Sequence, residues 1–416
     1  MNWIKKSQQE INDKIFLALT HNVNYQKESI IGLPATYLDE KVFTKDKFTM
    51  SDTPFLSTLL QNPNHIGCHT LGSSESFFAG TQAIEREVIS ICAEDILKGT
   101  IDQFDGYIAS GGTEANMQAI WMYRNYFQSK FKAKYSEIAV ICSTDSHYSM
   151  AKGANILNIS IYKVDVDFET REISRDSVLK AIRQAKSEGI NYFVVVANMM
   201  TTMFGSVDSI EVYVNAVQEE NVEFKLHIDA AFGGFYYPFS KGENNLINFQ
   251  NPIISSITLD AHKMAQAPYG TGIFLARKNL IHYTTTQEAS YVEGEDCTLV
   301  GSRSGANAIA IWMILSTYGP NGWSEKIFIL QKRTDYLCDQ LRALKVQFYR
   351  HTSSNIVTMK EQYISKEIAT EFGLIPDNHH NPKWYEIVVM DHVTLEKLNP
   401  FLEKLKEQLK DKMYVD

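Results

Sequence analysis

Two side chains at the ends of apolar runs point to covalent carbonyl chemistry. Asp229 closes the run Phe224-Lys225-Leu226-His227-Ile228-Asp229 and leads into Ala230-Ala231-Phe232-Gly233-Gly234. Lys263 follows a second run, Ile253 to Leu259, within the segment Asp260-Ala261-His262-Lys263. A lysine amine can bind an aldehyde as a Schiff base. A carboxylate can keep a pyridine nitrogen protonated by offering it an opposite charge. Pyridoxal phosphate needs both partners. Taken singly, Asp229 also reads as a turn acid and Lys263 as a solvated surface cation, since most such residues are exposed. The pair gains meaning from its surroundings.

Three other segments follow strand-like runs. Ser110-Gly111-Gly112-Thr113-Glu114-Ala115-Asn116 opens a long helical pattern. Glycines let a backbone approach an anion, and a helix N-terminus offers it free N–H groups. The same segment also reads as a plain turn with Thr113 as helix N-cap. Its glycine spacing is neither that of a P-loop nor that of a dinucleotide fingerprint. Ser143 to Ser149 carries His147, whose flat ring could stack on a flat cofactor or could simply begin a helix. Asn198 to Gly205 offers Thr201 and Thr202 as hydroxyls toward a ligand, or as an ordinary polar loop. His65 and His69 lie four apart, but nearby Pro63 and Gly67 disfavour a helix and no third ligand is evident, so no metal is expected. His379-His380 reads as a solvated turn. A phosphate cradle, a stacking histidine, a ring-nitrogen acid and a Schiff-base lysine thus fall in sequence at successive strand ends.

The elements that must position them are an alternation of short apolar strands and helices. Strands are expected at Gly106–Ser110, Glu137–Cys142, Ile159–Val164, Tyr192–Ala197, Phe224–Asp229, Ile253–Leu259 and Gly272–Ala276. Helices are expected at Glu75–Lys98 (ending at Gly99), Glu114–Lys132, Ser149–Leu157, Ser174–Glu188 and Ser209–Glu220. Nearly continuous apolar strands are those buried on both faces. Their alternation with helices predicts a mostly parallel sheet, whose ligands bind beyond the carboxyl ends of its strands. Ile4, Ile11, Ile15 and Leu19 give a helical stripe near the start. Past residue 300 a long helical stretch over Ala306–Thr317 leads to a second over Trp323–Ala343. Short strands at Gln347–Arg350, Ile356–Met359 and Tyr385–Met390 and a helix at Thr394–Met413 follow. We expect an N-terminal helical segment over 1–58, a large α/β domain over 59–305 and a small α+β domain over 306–416.

With 416 residues the chain exceeds the usual single-core size. A net charge of −9 gives no electrostatic case for nucleic acid as the partner. No signal peptide and no bilayer-length apolar run are visible, and the five scattered cysteines lack any Cys-x-x-Cys pair. A cytoplasmic protein with reduced thiols is expected.

Read together, SGGTEAN (110–116), DSHYSMAK (145–152), HIDAAFGGF (227–235), DAHKM (260–264) and GSRSG (301–305) resemble the group II, fold-type I pyridoxal-phosphate-dependent amino acid decarboxylases. The likeness is to the archaeal tyrosine/aspartate and bacterial histidine types, and spans roughly residues 60–310. It implies an aspartate-aminotransferase-like fold, a small amino acid substrate and a homodimer with shared active sites. By that resemblance Lys263 binds the cofactor's aldehyde and Asp229 pairs with its ring nitrogen. His147 and Ala231 pack on the two ring faces, and Gly112, Thr113 and His262 hold the phosphate. Ser302 reaches the partner subunit's phosphate, Thr202 lies near the ring substituents, and Tyr291 is the candidate proton donor. Met200 departs from the pattern by standing where glycine is common. A carbon–carbon lyase of the sphingosine-phosphate lyase type shares Asn62-Pro63-Asn64-His65, GTEA and GSRSGA. Here, however, Tyr269 replaces the second lysine usual in those lyases.

Overall fold

The computed structural model describes residues 2–22, 54–61, 67–68, 71, 76–240, 246–285 and 294–413. The first strand, β1 (Gly67–Cys68), is two residues long. The large sheet follows, with β2 (Phe104–Ala109), β3 (Ile138–Ser143), β4 (Ser160–Val164), β5 (Tyr192–Asn198), β6 (Glu223–Ala230), β7 (Ile254–Asp260) and β8 (Gly272–Arg277). Its spatial order is β2-β8-β7-β6-β5-β3-β4. β8 runs antiparallel to both neighbours, and the other pairings are parallel. All seven strands fall where the apolar runs predict, within a few residues.

Every position of β3 and β7 is buried, as a strand covered on both faces requires. The side chains of β3 alternate between two cores. Ala139 and Ile141 join one, while Ile138, Val140 and Cys142 join the other. The first core is closed by α1 (Gln8–His21), α3 (Ala79–Ser90), α6 (Arg175–Ser187), α7 (Ile210–Glu219) and the first half of α8 (Gly305–Ala343); α2 (Pro54–Gln61) leans on α1 and α8. The second is closed by α4 (Gly112–Phe131) and α5 (Ser149–Ile156). Local capping starts α1, where Ser7 and Glu10 form a capping box, and α6, where Ser174 accepts from the Ser177 N–H. α4 begins differently: Gly111 precedes it and no side chain caps it, so Thr113 is not the N-cap.

The helix expected over Glu75–Lys98 is segmented. A 3₁₀ turn (Ser76–Phe78) leads into α3, and a π-helical turn (Ile91–Ile96) ends it. Lys98, not Gly99, takes the left-handed conformation at its end, with φ of 59°. Gly99 serves a close approach instead, since a Cβ there would lie 2.2 Å from the Phe104 ring. Helix α8 spans both expected helices of the C-terminal half and is broken at Gly319, φ 62°, just before Pro320. Its later half, α9 (Lys366–Glu371) and α10 (Leu395–Met413) pack on a four-stranded antiparallel sheet. That sheet has the order β10 (Phe348–Tyr349), β11 (Ile356–Lys360), β13 (Trp384–Val388), β12 (Ile375–Pro376). β12 has no counterpart in the sequence reading, because two residues ending in proline carry no strand signal.

The segment after residue 300 is tied back by one buried ion pair. β9 (Arg303–Ser304) pairs antiparallel with β1. Arg303 Nη1 and Nη2 bond the two carboxylate oxygens of Glu85 on α3, and both side chains are buried. Glu85 Oε1 also accepts the Ile108 N–H at 2.8 Å, and the guanidinium lies 4.9 Å over the Tyr107 ring. Removing one partner of such a pair strands a buried charge. Glu85→Ala is therefore expected to lower unfolding free energy by about 3–5 kcal/mol, while the double variant Glu85→Leu/Arg303→Met loses much less. Chemical denaturation of the three proteins checks this.

Candidate active site

The register of the parallel strands brings the site together. Asn198 at the end of β5 is the Cα partner of Asp229 on β6, and Asp229 in turn pairs with Thr258 on β7. Asp229 is buried, and its two oxygens are held separately. Oδ1 accepts the Ala231 N–H at 3.1 Å and Oδ2 accepts from Asn116 Nδ2 at 3.0 Å. Asn198 donates its side-chain amide to Asp208 Oδ2 (2.7 Å), Ser146 Oγ (2.8 Å) and Ser143 Oγ (3.1 Å), which braces the β5 and β3 ends. Burial pushes the Asp208 carboxyl up to about 7, against the pull of its Asn198 donors.

One cleft is lined by Asp229, Lys263, His147, Ala231, Thr202, Asn198, Met200, Thr201 and Phe232. Half-buried His147 has its ring against Tyr148, with centroids 4.0 Å apart. Its Nδ1 meets Ser149 Oγ at 2.9 Å and the Ser149 N–H at 3.3 Å. Burial, followed by the Lys263 and Lys152 cations, holds its pKa below the ordinary 6.5, with Asp229 opposing. At neutral pH the ring is uncharged. Met200 is buried with φ of 69°. The backbone thus keeps the left-handed turn that glycine adopts freely, at a cost of about 1–2 kcal/mol for a residue with a Cβ. Glycine is required at 233, where a Cβ would lie 2.1 Å from the Met199 carbonyl oxygen.

The other half of the site faces the start of α4. Lys263 Nζ lies 3.5 Å from Asp260 Oδ2, and His262 Nε2 lies 3.7 Å from the same oxygen. Asp260 is almost fully buried and also receives the Gly112 N–H. Burial raises its carboxyl to about 7, although Lys263 pulls it down. A Cβ at Gly112 would meet Asp260 Oδ2 at 2.7 Å and Ala231 Cβ at 3.1 Å. The helix start, Asp260 and Ala231 therefore close together only around glycine.

Lys263, Asp229, His147, Ala231 and Thr202 are brought to one cleft, with Gly112 and His262 gathered on Asp260 beside it. Thr113 sits half-buried in the first turn of α4. Ser302 is exposed, next to the anchored Arg303. Tyr291, His65 and His69 lie outside the described residues. His380 caps an exposed turn through its N–H to Asn378 Oδ1, as expected for a solvated loop. Sequence reasoning missed Asn116, Asp208 and Asp260. Asn116 and Asp260 sit inside the SGGTEAN and DAHKM segments, but nothing in one dimension says that their side chains turn into the site.

The residues present fit pyridoxal phosphate. His262 Nδ1 and Asp260 Oδ1 are buried with no hydrogen-bond partner among the described residues. Such orphaned polar atoms are costly unless a ligand meets them. They flank a helix N-terminus that carries no side-chain cap, and the adjoining cleft offers the Lys263 amine and the Asp229 carboxylate.

Comparison with known proteins agrees. The model of the pyridoxal-dependent decarboxylase conserved domain matches residues 83–357. The chain is 52% identical over 407 residues to the tryptophan decarboxylase of Clostridium sporogenes, covering 97% of each chain. It is 30% identical over 346 residues to the "probable L-tyrosine/L-aspartate decarboxylase" of Methanococcus maripaludis, covering 79% of this chain and 84% of that one. Among solved structures, L-methionine decarboxylase from Streptomyces sp. 590 superposes with a TM-score of 0.69 at 19% identity, over 95% of this chain and 93% of the other. That last likeness is one of fold. No helix of the described residues is long and apolar enough to cross a membrane. With a matching model across more than half its length and so near a relative, the chain belongs to the pyridoxal-dependent decarboxylases and releases CO2 from an amino acid with pyridoxal phosphate.

Proposed function

We propose that the substrate is L-tryptophan, with other large aromatic amino acids as poorer substrates, and that the enzyme works as a cytoplasmic homodimer. The observation that carries the substrate is the 52% identity to a tryptophan decarboxylase over 97% of both chains. Met200, Ala231 and Phe232 supply the apolar part of the cleft lining.

In this reading Lys263 Nζ would hold the cofactor through its aldehyde, and Gly112, Thr113 and His262 would hold its phosphate. Once bound, pyridoxal phosphate supplies a conjugated ring that accepts the electron pair left behind by CO2. With the cofactor bound, Asp229 would keep its ring nitrogen protonated, and His147, as a neutral imidazole, and Ala231 would hold the ring from the cleft walls. Thr202 reaches the ring substituents. Tyr291 returns a proton to the substrate's α-carbon. Ser302, exposed beside an anchored arginine, would reach the phosphate in the partner subunit's site.

The test is a panel of L-tryptophan, tyrosine, phenylalanine, histidine, serine, methionine, aspartate and glutamate, assayed for CO2 and amine. Tryptophan is expected to exceed every non-aromatic substrate in kcat/KM by at least about tenfold, the discrimination available to a shaped apolar pocket. A best rate with aspartate, glutamate or serine overturns the substrate. Aldehyde formation without CO2 would instead signal carbon–carbon cleavage.

A further inference from the structure

Behind the cleft runs a chain of buried polar groups that none of the roles above uses. Asn116 is 1% exposed and sits at its branch point. Its Nδ2 bonds Asp229 Oδ2 at 3.0 Å and Ser149 Oγ at 3.0 Å, while its Oδ1 meets His227 Nε2 at 3.0 Å. His227 is fully buried and its Nδ1 meets Ser256 Oγ at 2.7 Å. Thr258 Oγ1 stands farther from the ring, 3.3 Å from Nε2. Ser256 Oγ meets Tyr123 OH at 2.5 Å.

The proton positions follow from which groups can only accept. A carboxylate accepts only, so Asn116 turns Nδ2 toward Asp229. That leaves Oδ1 facing His227, whose Nε2 must then carry hydrogen. Burial lowers the His227 pKa to about 4, so the ring is neutral and its Nδ1 is bare. Ser256 therefore donates to Nδ1 and accepts from Tyr123. On the other branch, Ser149 Oγ accepts from Asn116 and gives its own hydrogen to His147 Nδ1. The Ser149 N–H, a donor only, points at the same nitrogen. His147 thus carries its hydrogen on Nε2. The donors run one way, from Tyr123 through Ser256 to His227 and from His227 to Asn116, and then split toward Asp229 and His147.

We infer that His227 is a positioning residue for the decarboxylation: its Nε2–H locks the Asn116 amide, and that one amide orients both Asp229 and His147. The inference rests on the roles proposed above for those two residues. His227 lies outside the cleft lining and acts through Asn116. A histidine that merely filled the core would stabilise the fold without touching the chemistry.

His227→Leu and His227→Gln separate the two, because glutamine keeps a donor near the position of Nε2. In the holoenzyme His227→Leu is expected to lower kcat about 10- to 100-fold, the effect of one buried hydrogen bond, with KM within about threefold. The visible absorbance of the bound cofactor should change its band distribution, and His227→Gln should restore both band and most of kcat. If the two variants lose thermal stability alike while kcat and spectrum per folded molecule stay those of the wild type, the proposal falls. Should neither variant fold, ¹⁵N-histidine NMR of the wild type decides: a neutral His227 protonated on Nε2 is expected at neutral pH, and an Nδ1–H tautomer overturns it. Asp229→Asn run in parallel keeps the failures apart. If it cripples turnover while His227→Leu does not, the relay is wrong and the site reading stands; if Asp229→Asn is itself fully active, the site reading fails.

Discussion

Lys263→Ala is expected to lower turnover by on the order of 10⁴–10⁶-fold if Lys263 is the covalently acting lysine proposed above. The visible absorbance that accompanies a covalently held cofactor should disappear with it. The side chain is about a third exposed at 30% and lies in the cleft, so its removal opens no cavity in the core. Among the described residues, Asp260 Oδ2 lies 3.5 Å from the Lys263 Nζ. That contact gives the variant a second signature. Burial raises the Asp260 carboxyl from its ordinary 3.8 to about 7, and Lys263 opposes the rise. A raised folded-state value means that the neutral form favours the fold and that stability is lost as pH climbs through that value. Without the lysine the value rises further, and an ionised Asp260 has no cation beside it. The stability deficit of Lys263→Ala relative to wild type should therefore be small near about pH 5 and grow toward about pH 8. Thermal melts at the two pH values check the stability, and single-turnover assays check the rate. Full activity in this variant would remove Lys263 from the mechanism.

The parts of this site that the sequence made legible are those with a local cause. Asp229 and Lys263 stand out because a buried parallel strand reads as an apolar run, and polar residues at or just past its carboxyl end face the crevice. His147 is found in the same way past β3. The glycines of SGGTEAN mark a close approach that the Gly112–Asp260 contact explains. What was not legible is tertiary. Asn116 and His227 are 111 residues apart, on a helix and a strand, and meet at 3.0 Å only because α4 packs across the sheet. Nothing about an asparagine on a helix announces that its amide will orient a carboxylate. Lys98 takes the left-handed turn that the sequence places at Gly99, while Gly99 is needed where the Phe104 ring approaches. Met200 is the reverse case. Its sequence departs from glycine while its backbone, at φ 69°, does not.

Asp229→Asn separates charge from shape, and the network predicts how. Asparagine fills the same volume, but one of its two terminal atoms is now a donor. Ala231 N–H needs an acceptor at the Oδ1 position, which would leave the new amide nitrogen facing Asn116 Nδ2, donor against donor. Turning the introduced amide over strands the Ala231 N–H, and turning Asn116 over breaks its bond to His227 Nε2. Each arrangement either leaves a buried group unmet or forces His227 into its other tautomer with the donors behind it reversed, so a stability loss of about 1–3 kcal/mol is expected. The chemical loss is larger. A neutral amide cannot hold a proton at the ring nitrogen by charge, so kcat should fall on the order of 10²–10⁴-fold, the range typical of lost proton and electrostatic control. Lys263 is untouched, so the covalently held cofactor and its visible absorbance should persist, in contrast to Lys263→Ala. Denaturant titration, the absorbance spectrum and kcat measured on one preparation test all three at once. A variant that keeps its colour and loses its turnover identifies Asp229 as the group that governs the ring nitrogen. A variant that keeps near-wild-type turnover assigns that task elsewhere.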